Sequence, residues 1–218
     1  MTDKQQQLNQ LTEIRNLMER SSRFISLSGL SGIFAGIFAL AGATFAFIYL
    51  DFYKRYFDWK AYNDILLLRD LVETTRVLVI VAFIVLLLSL SIGILFTTRK
   101  ARKNNLTIWD NTTKRLLYHV SVPLITGGIF CFILLYHQIY FLIAPATLIF
   151  YGLALLNGSK FTLNDVQYLG ICDIILGILS AIFSGYGLVF WSVGFGIMHI
   201  VYGWIMFHKY ERIRKGNN

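Results

Sequence analysis

The chain has 218 residues, of which 56% are hydrophobic and only 15% are charged. This composition is more apolar than that of a soluble domain, and several runs of about 20 residues carry few charges. The formal charge of +8 would favour a nucleic-acid partner in a soluble protein. Here the basic residues lie beside the apolar runs, where membrane orientation and anionic lipid account for them. The composition therefore predicts an integral membrane protein and no nucleic-acid partner.

The N-terminal segment, residues 1–23, is polar but periodic. Four apolar residues recur at intervals of three or four between charged ones: Leu8, Leu11, Ile14 and Met18. This pattern is typical of an amphipathic helix. We expect the helix to lie on the cytoplasmic surface of the membrane, and binding to a partner protein is the alternative that the same pattern allows.

Six apolar runs follow, and each is long enough to cross about 30 Å of hydrocarbon as a helix. The stretch from His119 to Leu156 is too long for one crossing, so we place a tight turn at its polar centre, Tyr136 to Gln138. The predicted spans are 24–50, 76–96, 119–136, 139–156, 166–184 and 188–207. Residues 24–207 are thus predicted to form one all-α, polytopic bundle of six transmembrane helices, followed by a basic tail at 208–218.

Each of the two prolines falls within a predicted span. Pro123 would occupy the first turn of its helix, where the missing N–H does no harm. Pro145 would lie inside its helix, where it should kink the backbone and free a carbonyl group.

The Lys and Arg residues are distributed unevenly between the two sides of this bundle. The N-terminal segment, the second connection, the fourth connection and the tail hold 4, 6, 1 and 4 of them. The first connection, on the opposite side, holds 5, and the third and fifth hold none. Because cytoplasmic loops are enriched in Lys and Arg, both termini are predicted to be cytoplasmic, as an even number of spans requires.

Small residues recur at helical spacing in three of the spans. Such stripes let helix backbones approach closely in lipid. We expect the stripes of spans five and six to face each other, and span one to pack in the interior of the bundle. The candidate packing residues are Gly32, Gly36, Gly170, Gly177, Gly196 and Gly203.

Asp173 and His199 are the ionisable residues deepest in the predicted spans. Counted from the turn between spans five and six, they lie within about one helical rise of the same depth. Since an ionisable side chain in hydrocarbon must be paired, hydrated or neutral, we expect the two to form a pair between the facing stripes. This pair is either a proton-responsive or solute-binding site or an interhelical hydrogen bond that holds the hairpin together.

No motif indicates a catalytic site, a metal or a cofactor. The histidines and the two cysteines, Cys131 and Cys172, lack the spacing of metal or haem ligands, and no hydrolase signature is present. Both cysteines lie in predicted spans, which excludes an extracytoplasmic disulfide framework.

Three functions are compatible with these features. The first is a non-enzymatic scaffold or sensor that binds lipid or a partner protein through its cytoplasmic segments. The second is a small proton-coupled carrier or channel that uses Asp173 and His199, and the third is a membrane enzyme acting on a lipid or isoprenoid substrate.

The expected surroundings are the lipid bilayer of a bacterial inner membrane and, because the glycine stripes also allow it, a second copy of the chain. A basic cluster in the second connection is a candidate site for anionic lipid: Arg99, Lys100, Arg102 and Lys103.

Overall fold

The computed structural model describes residues 5, 7, 28–60, 64–104 and 108–212, without the side chains of residues 52–72 and 210–212. The described part is helical and contains no strand. The predicted amphipathic helix at 1–23 and residues 213–218 of the predicted tail lie outside the described residues, apart from Gln5 and Gln7.

Five helices precede the final hairpin turn. They are α1 (Gly29–Lys60), α2 (Asp64–Lys103), α3 (Asn111–Tyr136), α4 (Ile143–Gly158) and α5 (Val166–Ile182). Short 3₁₀ turns at Tyr140–Leu142 and Ser159–Phe161 flank α4.

The described part of the chain ends in one continuous helix of mixed winding, which we call the last helix. It consists of α6 (Gly187–Trp191), a π-helical segment (Ser192–Met198), α7 (His199–Met206) and a second π-helical segment (Phe207–Arg212). A π-helical turn contains more residues than an α-helical one and is often found at functional sites. The first of these segments lies directly before His199.

Five helical stretches are long and apolar enough to cross a membrane. They are Gly29–Asp51, Glu73–Lys103, Asn111–Tyr136, Tyr140–Phe161 and Gly187–Lys209. The remaining predicted span, 166–184, corresponds to α5, an apolar helix of 17 residues. At about 1.5 Å per residue, α5 extends roughly 25 Å, slightly less than the hydrocarbon thickness.

The structure reverses the expected roles of the two prolines. Helix α3 begins at Asn111, eight residues before the predicted start, because Asp110 caps it by accepting a hydrogen bond from the backbone N–H of Thr113. Pro123 therefore lies inside a helix. Pro145 lies in the first turn of α4, where its ring replaces no helical hydrogen bond. The prediction failed because it placed each helix start at the edge of the apolar run.

Two predicted turns occur where the sequence indicates. His137 and Gln138 form the turn after α3, and Gln138 adopts a positive φ of 59°. The hairpin between α5 and the last helix turns at residues 183–186, where Gly185 has φ of 102°, a conformation that favours glycine. The predicted long first connection is largely helical, as α1 continues to Lys60 and α2 starts at Asp64.

The helices pack in a row, and the last helix occupies the middle. It packs against α1 on one side and against α4 and α5 on the other. Helix α2 packs on α1 at one edge, and α3 packs on α4 at the opposite edge. The residues of α4, α5 and the last helix therefore form the best-enclosed part of the described chain.

All six candidate packing glycines lie where two helices touch, but not in the predicted pairing. A Cβ at Gly203 would lie 2.6 Å from the carbonyl oxygen of Gly29, and one at Gly36 would lie 2.6 Å from that of Gly196, so the last helix contacts α1 through its glycines. Gly32 faces Gly203 across the same contact.

The glycines of α5 pack on α4 instead of the last helix. A Cβ at Gly170 would lie 2.7 Å from the carbonyl oxygen of Gly152, and one at Gly177 would lie 3.0 Å from that of Pro145. The expectation that the stripes of spans five and six face each other is therefore wrong. A glycine stripe specifies a close approach but not the neighbour, and α1 and α4 carry small residues of their own.

Candidate functional site

His199 is held by two hydrogen bonds in the middle of the bundle. The ring is 6% exposed. Its Nδ1 lies 2.9 Å from the carbonyl oxygen of Gly194, and its Nε2 lies 2.8 Å from the hydroxyl oxygen of Tyr151 on α4. The bond to Tyr151 joins the last helix to α4. The bond to Gly194 connects His199 to the π-helical segment that precedes it in the last helix.

These two bonds determine the tautomer of the neutral imidazole. A backbone carbonyl only accepts hydrogen bonds, so Nδ1 must carry the proton and donate to Gly194. In the neutral ring, Nε2 is then an acceptor, and the Tyr151 hydroxyl donates to it. His199 thus has both nitrogens satisfied without a carboxylate partner.

Aromatic rings surround this hydrogen bond. The ring of Phe195 lies 4.9 Å from that of Tyr151 and 5.9 Å from that of His199, measured between centroids. Trp191 follows at 5.0 Å from Phe195. These distances are those of favourable aromatic contacts. The π-helical segment therefore presents a stack of rings to α4 and keeps the imidazole enclosed.

Asp173 is completely buried, and neither of its carboxyl oxygens has a hydrogen-bond partner among the described residues. Its Oδ1 lies against Gly194, because a Cβ at Gly194 would be only 2.9 Å away. Leu148 and Leu176 share this contact with Gly194.

A second unpartnered polar group lies on the same face of α5. Ser180, seven residues after Asp173, is 1% exposed, and its hydroxyl has no hydrogen-bond partner among the described residues. The hydroxyl lies 3.9 Å from the position that a Cβ of Gly187 would occupy. Asp173 therefore faces Gly194, and Ser180 faces Gly187, so the two polar groups and the two glycines are matched across one antiparallel contact.

The structure brings Asp173 and His199 to the same glycine but does not pair them. Since Asp173 is opposite Gly194, His199 lies five residues further along the last helix, or about 7 Å by helical rise. The prediction of a common depth is wrong because it counted both residues from the middle of the turn. The contact of Asp173 with Gly194 shows that the two helices pair about a point closer to the end of α5. The expected hydrogen bond between the two is absent, since His199 bonds to Tyr151 and Gly194.

Three residues of this site were not identified from the sequence. Tyr151 lies within the apolar span four, away from the membrane interfaces where tyrosine is usual, and this unusual position is the feature of the sequence that could have identified it. Ser180 has the size of a packing residue, so its residue type does not distinguish it from one. Gly194 does not belong to the glycine stripe of the last helix, and its role depends on the π-helical segment, which no sequence period predicts.

The remaining candidate groups lie elsewhere. Lys100, Arg102 and Lys103 occupy the last turn of α2, where cations favour the negative end of the helix dipole. Among the described residues, no group of three or more His, Cys, Asp or Glu side chains is arranged to hold a metal ion.

Comparison with known proteins gives no further assignment. No family model matches the chain, no curated protein matches its sequence, and no solved structure matches its fold. The functional argument therefore rests on the geometry around Asp173 and His199.

Proposed function

We propose that the chain is an integral membrane protein with six crossings and cytoplasmic termini, and that it is a sensor whose proton-binding group is Asp173. The apolar helices and the uneven distribution of Lys and Arg support the topology. In this proposal α5 is the fifth of the six crossings, held at bilayer depth by its close contact with α4.

The observation that carries the proposal is the buried, unbonded carboxyl group of Asp173. A polar side chain that only holds helices together would bond to its neighbour, as His199 does to Tyr151. An aspartate at the centre of a membrane helix costs about 2.5 to 3.5 kcal/mol on insertion scales, and such residues usually serve a function. Asp173 gains no compensating hydrogen bond in this conformation.

The sealed site favours the neutral form of Asp173. An ionised carboxylate without a partner is unstable in an apolar interior, so loss of the proton would favour a conformation in which water reaches the site. Because Asp173 touches Gly194, this change would act first on the π-helical segment and then on α7 and the tail. The tail and the N-terminal segment are the parts through which the signal would reach lipid or a partner protein.

The test is a pH titration of the purified protein in lipid vesicles. Infrared difference spectra should contain a carboxylic acid band that disappears as the pH rises and that is missing in Asp173→Asn. Trp191 reports on the π-helical segment, so its emission in a variant with Trp59, Trp109 and Trp204 replaced by Phe should shift over the same pH interval.

Asp165→Asn is the matched control, because this carboxylate pairs with Lys209 outside the buried site. The control should keep both signals. If Asp173→Asn elutes as a folded, monodisperse protein and still shows the full shift of Trp191, the proton is bound elsewhere and the proposal is wrong.

A further inference from the structure

We infer that protons reach Asp173 from one end of the bundle only, the end formed by the 183–186 turn, along a seam between α5 and the last helix that includes Ser180. This inference rests on the proposed function, since it names the route by which the ligand of that site arrives. It makes the protein a sensor of the proton concentration on the side of the turn.

The first support is the pair of unsatisfied polar groups. The Asp173 carboxyl and the Ser180 hydroxyl are both buried, lie on one face of α5 and have no hydrogen-bond partner in the part of the chain that the structure describes. Seven residues of helix separate them by about 10 Å. Buried polar groups are normally hydrogen-bonded to protein or water. Two unsatisfied groups along the contact between α5 and the last helix therefore indicate that water enters this contact in another conformation.

The second support is the glycine opposite each polar group. Gly194 faces Asp173 and Gly187 faces Ser180, so the last helix presents no side chain at either position. Two leucines lie against Gly194 beside the carboxyl group: Leu176, one turn after Asp173 on α5, and the fully buried Leu148 on α4. Because Leu176 lies between Asp173 and Ser180 on α5, we expect its side chain to be the barrier that must move for water to connect them.

The third support is the contrast between the two ends of the seam. Towards the start of α5, the buried hydrophobic cluster of Leu163, Val166 and Met206, with Tyr202 packed against it, fills the contact between α5 and the last helix. Towards the end of α5, residues 182–186 are exposed. Ser180 is one turn from this exposed segment.

The groups that face Asp173 do not provide an alternative proton donor in this conformation. On α4 the titratable neighbour is Tyr151, whose proton is donated to His199. On the last helix it is His199, whose Nδ1 proton is donated to Gly194. Both protons are engaged away from the carboxyl group, so the proton of Asp173 must be exchanged with water.

Cysteine accessibility tests the route directly. In a chain with Cys131 and Cys172 replaced by alanine, single cysteines are placed at two buried positions on opposite sides of Asp173 on α5, Ser180→Cys and Leu169→Cys. A small, charged, membrane-impermeant methanethiosulfonate is added to oriented vesicles from either side. We expect labelling of Ser180→Cys from the side of the turn, with a rate that rises with pH more steeply than thiolate formation alone requires, and no labelling of Leu169→Cys from either side.

Two further variants connect the labelling to the site. Adding Asp173→Asn to Ser180→Cys should leave only the pH dependence that thiolate formation causes, because an amide does not ionise. Adding Leu176→Ala should accelerate labelling by about tenfold, the effect of a barrier lower by about 1.4 kcal/mol. If Leu169→Cys does not fold, Leu155→Cys on α4 provides the same test at the closed end.

The outcomes separate this inference from the proposed function. If Asp173 shows its infrared titration but Ser180→Cys is not labelled, the route is wrong and the sensor proposal stands. If Leu169→Cys is labelled from the other side, access is two-sided, as in a carrier, and the inference is overturned. If Ser180→Cys is labelled but Asp173 does not titrate, the crevice does not serve the carboxyl group, and both proposals fail.

Discussion

Tyr151 and His199 form a hydrogen bond of 2.8 Å that links α4 to the last helix. Because Nδ1 of the same imidazole donates to Gly194, the phenol is the donor in this bond, and the direction of the whole chain of bonds is fixed. The arrangement holds the π-helical segment against α4 next to the unbonded carboxyl group of Asp173.

Tyr151→Phe should destabilise the protein by about 1 to 2 kcal/mol, because it leaves Nε2 of a buried imidazole without its donor. The change removes one oxygen atom and preserves the aromatic contact with Phe195. The free energy of unfolding, measured in mixed micelles with increasing denaturing detergent, provides the value. Tyr168→Phe is the control, since Tyr168 is largely exposed and should be neutral. Equal stability of the two variants would contradict the assigned role of the hydroxyl.

Gly203→Ala should destabilise the contact between α1 and the last helix by about 1 to 3 kcal/mol. The added Cβ would lie 2.6 Å from the backbone atoms of both Gly29 and Ile33, which cannot move away as a side chain can. Gly128→Ala on α3 is the matched control, because its Cβ would meet nothing within 4 Å. There alanine should stabilise the helix by about 0.5 to 1 kcal/mol. Thermal unfolding of the two variants should therefore shift in opposite directions.

Asp110 should make the start of α3 sensitive to acid. Burial alone would raise the pKa of this carboxyl group, but the hydrogen bond from the backbone N–H of Thr113 and the nearby backbone N–H of Thr112 lower the pKa below its usual value of 3.8. A lowered folded-state pKa gives stability that is present above about pH 4 and is lost as the pH falls through the folded value. Asp110→Ala should cost about 1 kcal/mol at pH 7.

Asp110→Asn isolates the charge from the cap. Asparagine caps a helix about as well as aspartate, so the variant should match the native chain within a few tenths of a kcal/mol at pH 7. Below pH 4 the native chain should lose stability relative to this variant. Unfolding curves at pH 7 and pH 3 provide the comparison, and parallel behaviour of the two chains would mean that the carboxylate form of Asp110 contributes nothing.

Lys209 and Asp165 should contribute little to stability in spite of their short contact. The ammonium lies 2.8 Å from the carboxylate and joins the last helix to the segment before α5, but the lysine side chain is about half exposed. Exposed ion pairs are typically worth about 0 to 1 kcal/mol and are weakened by salt. A double-mutant cycle with Lys209→Ala and Asp165→Ala should give a coupling energy in this range that falls on adding salt.

The helices and turns were predictable because they follow from local patterns. Apolar runs locate all six helices, and the polar triplet at Tyr136 to Gln138 and the glycines near Gly185 locate two turns. The helix ends were less accurate where a cap lies outside the apolar run. Asp110 starts α3 well before its hydrophobic part, which is why the two prolines exchange roles.

Two residues of the site were predictable from the sequence, but their hydrogen bonds and the other three residues were not. Asp173 and His199 were identified because ionisable groups are rare in apolar helices. Their partners depend on the rotation of each helix about its own axis, which a hydropathy pattern fixes only loosely. A π-helical segment changes that rotation for every later residue. The sequence therefore indicated a buried pair, whereas the fold separates it into a satisfied imidazole and an unsatisfied carboxyl group.

The winding before His199 has a mechanical consequence. Successive residues of an α-helix are turned by about 100° around its axis. If the segment from Ser192 to Met198 wound by one residue more or less, everything beyond it would rotate by that angle, carrying the imidazole away from Tyr151 and turning Lys209 away from Asp165. A local change beside one carboxyl group would thus become a rotation of the C-terminal part of the last helix.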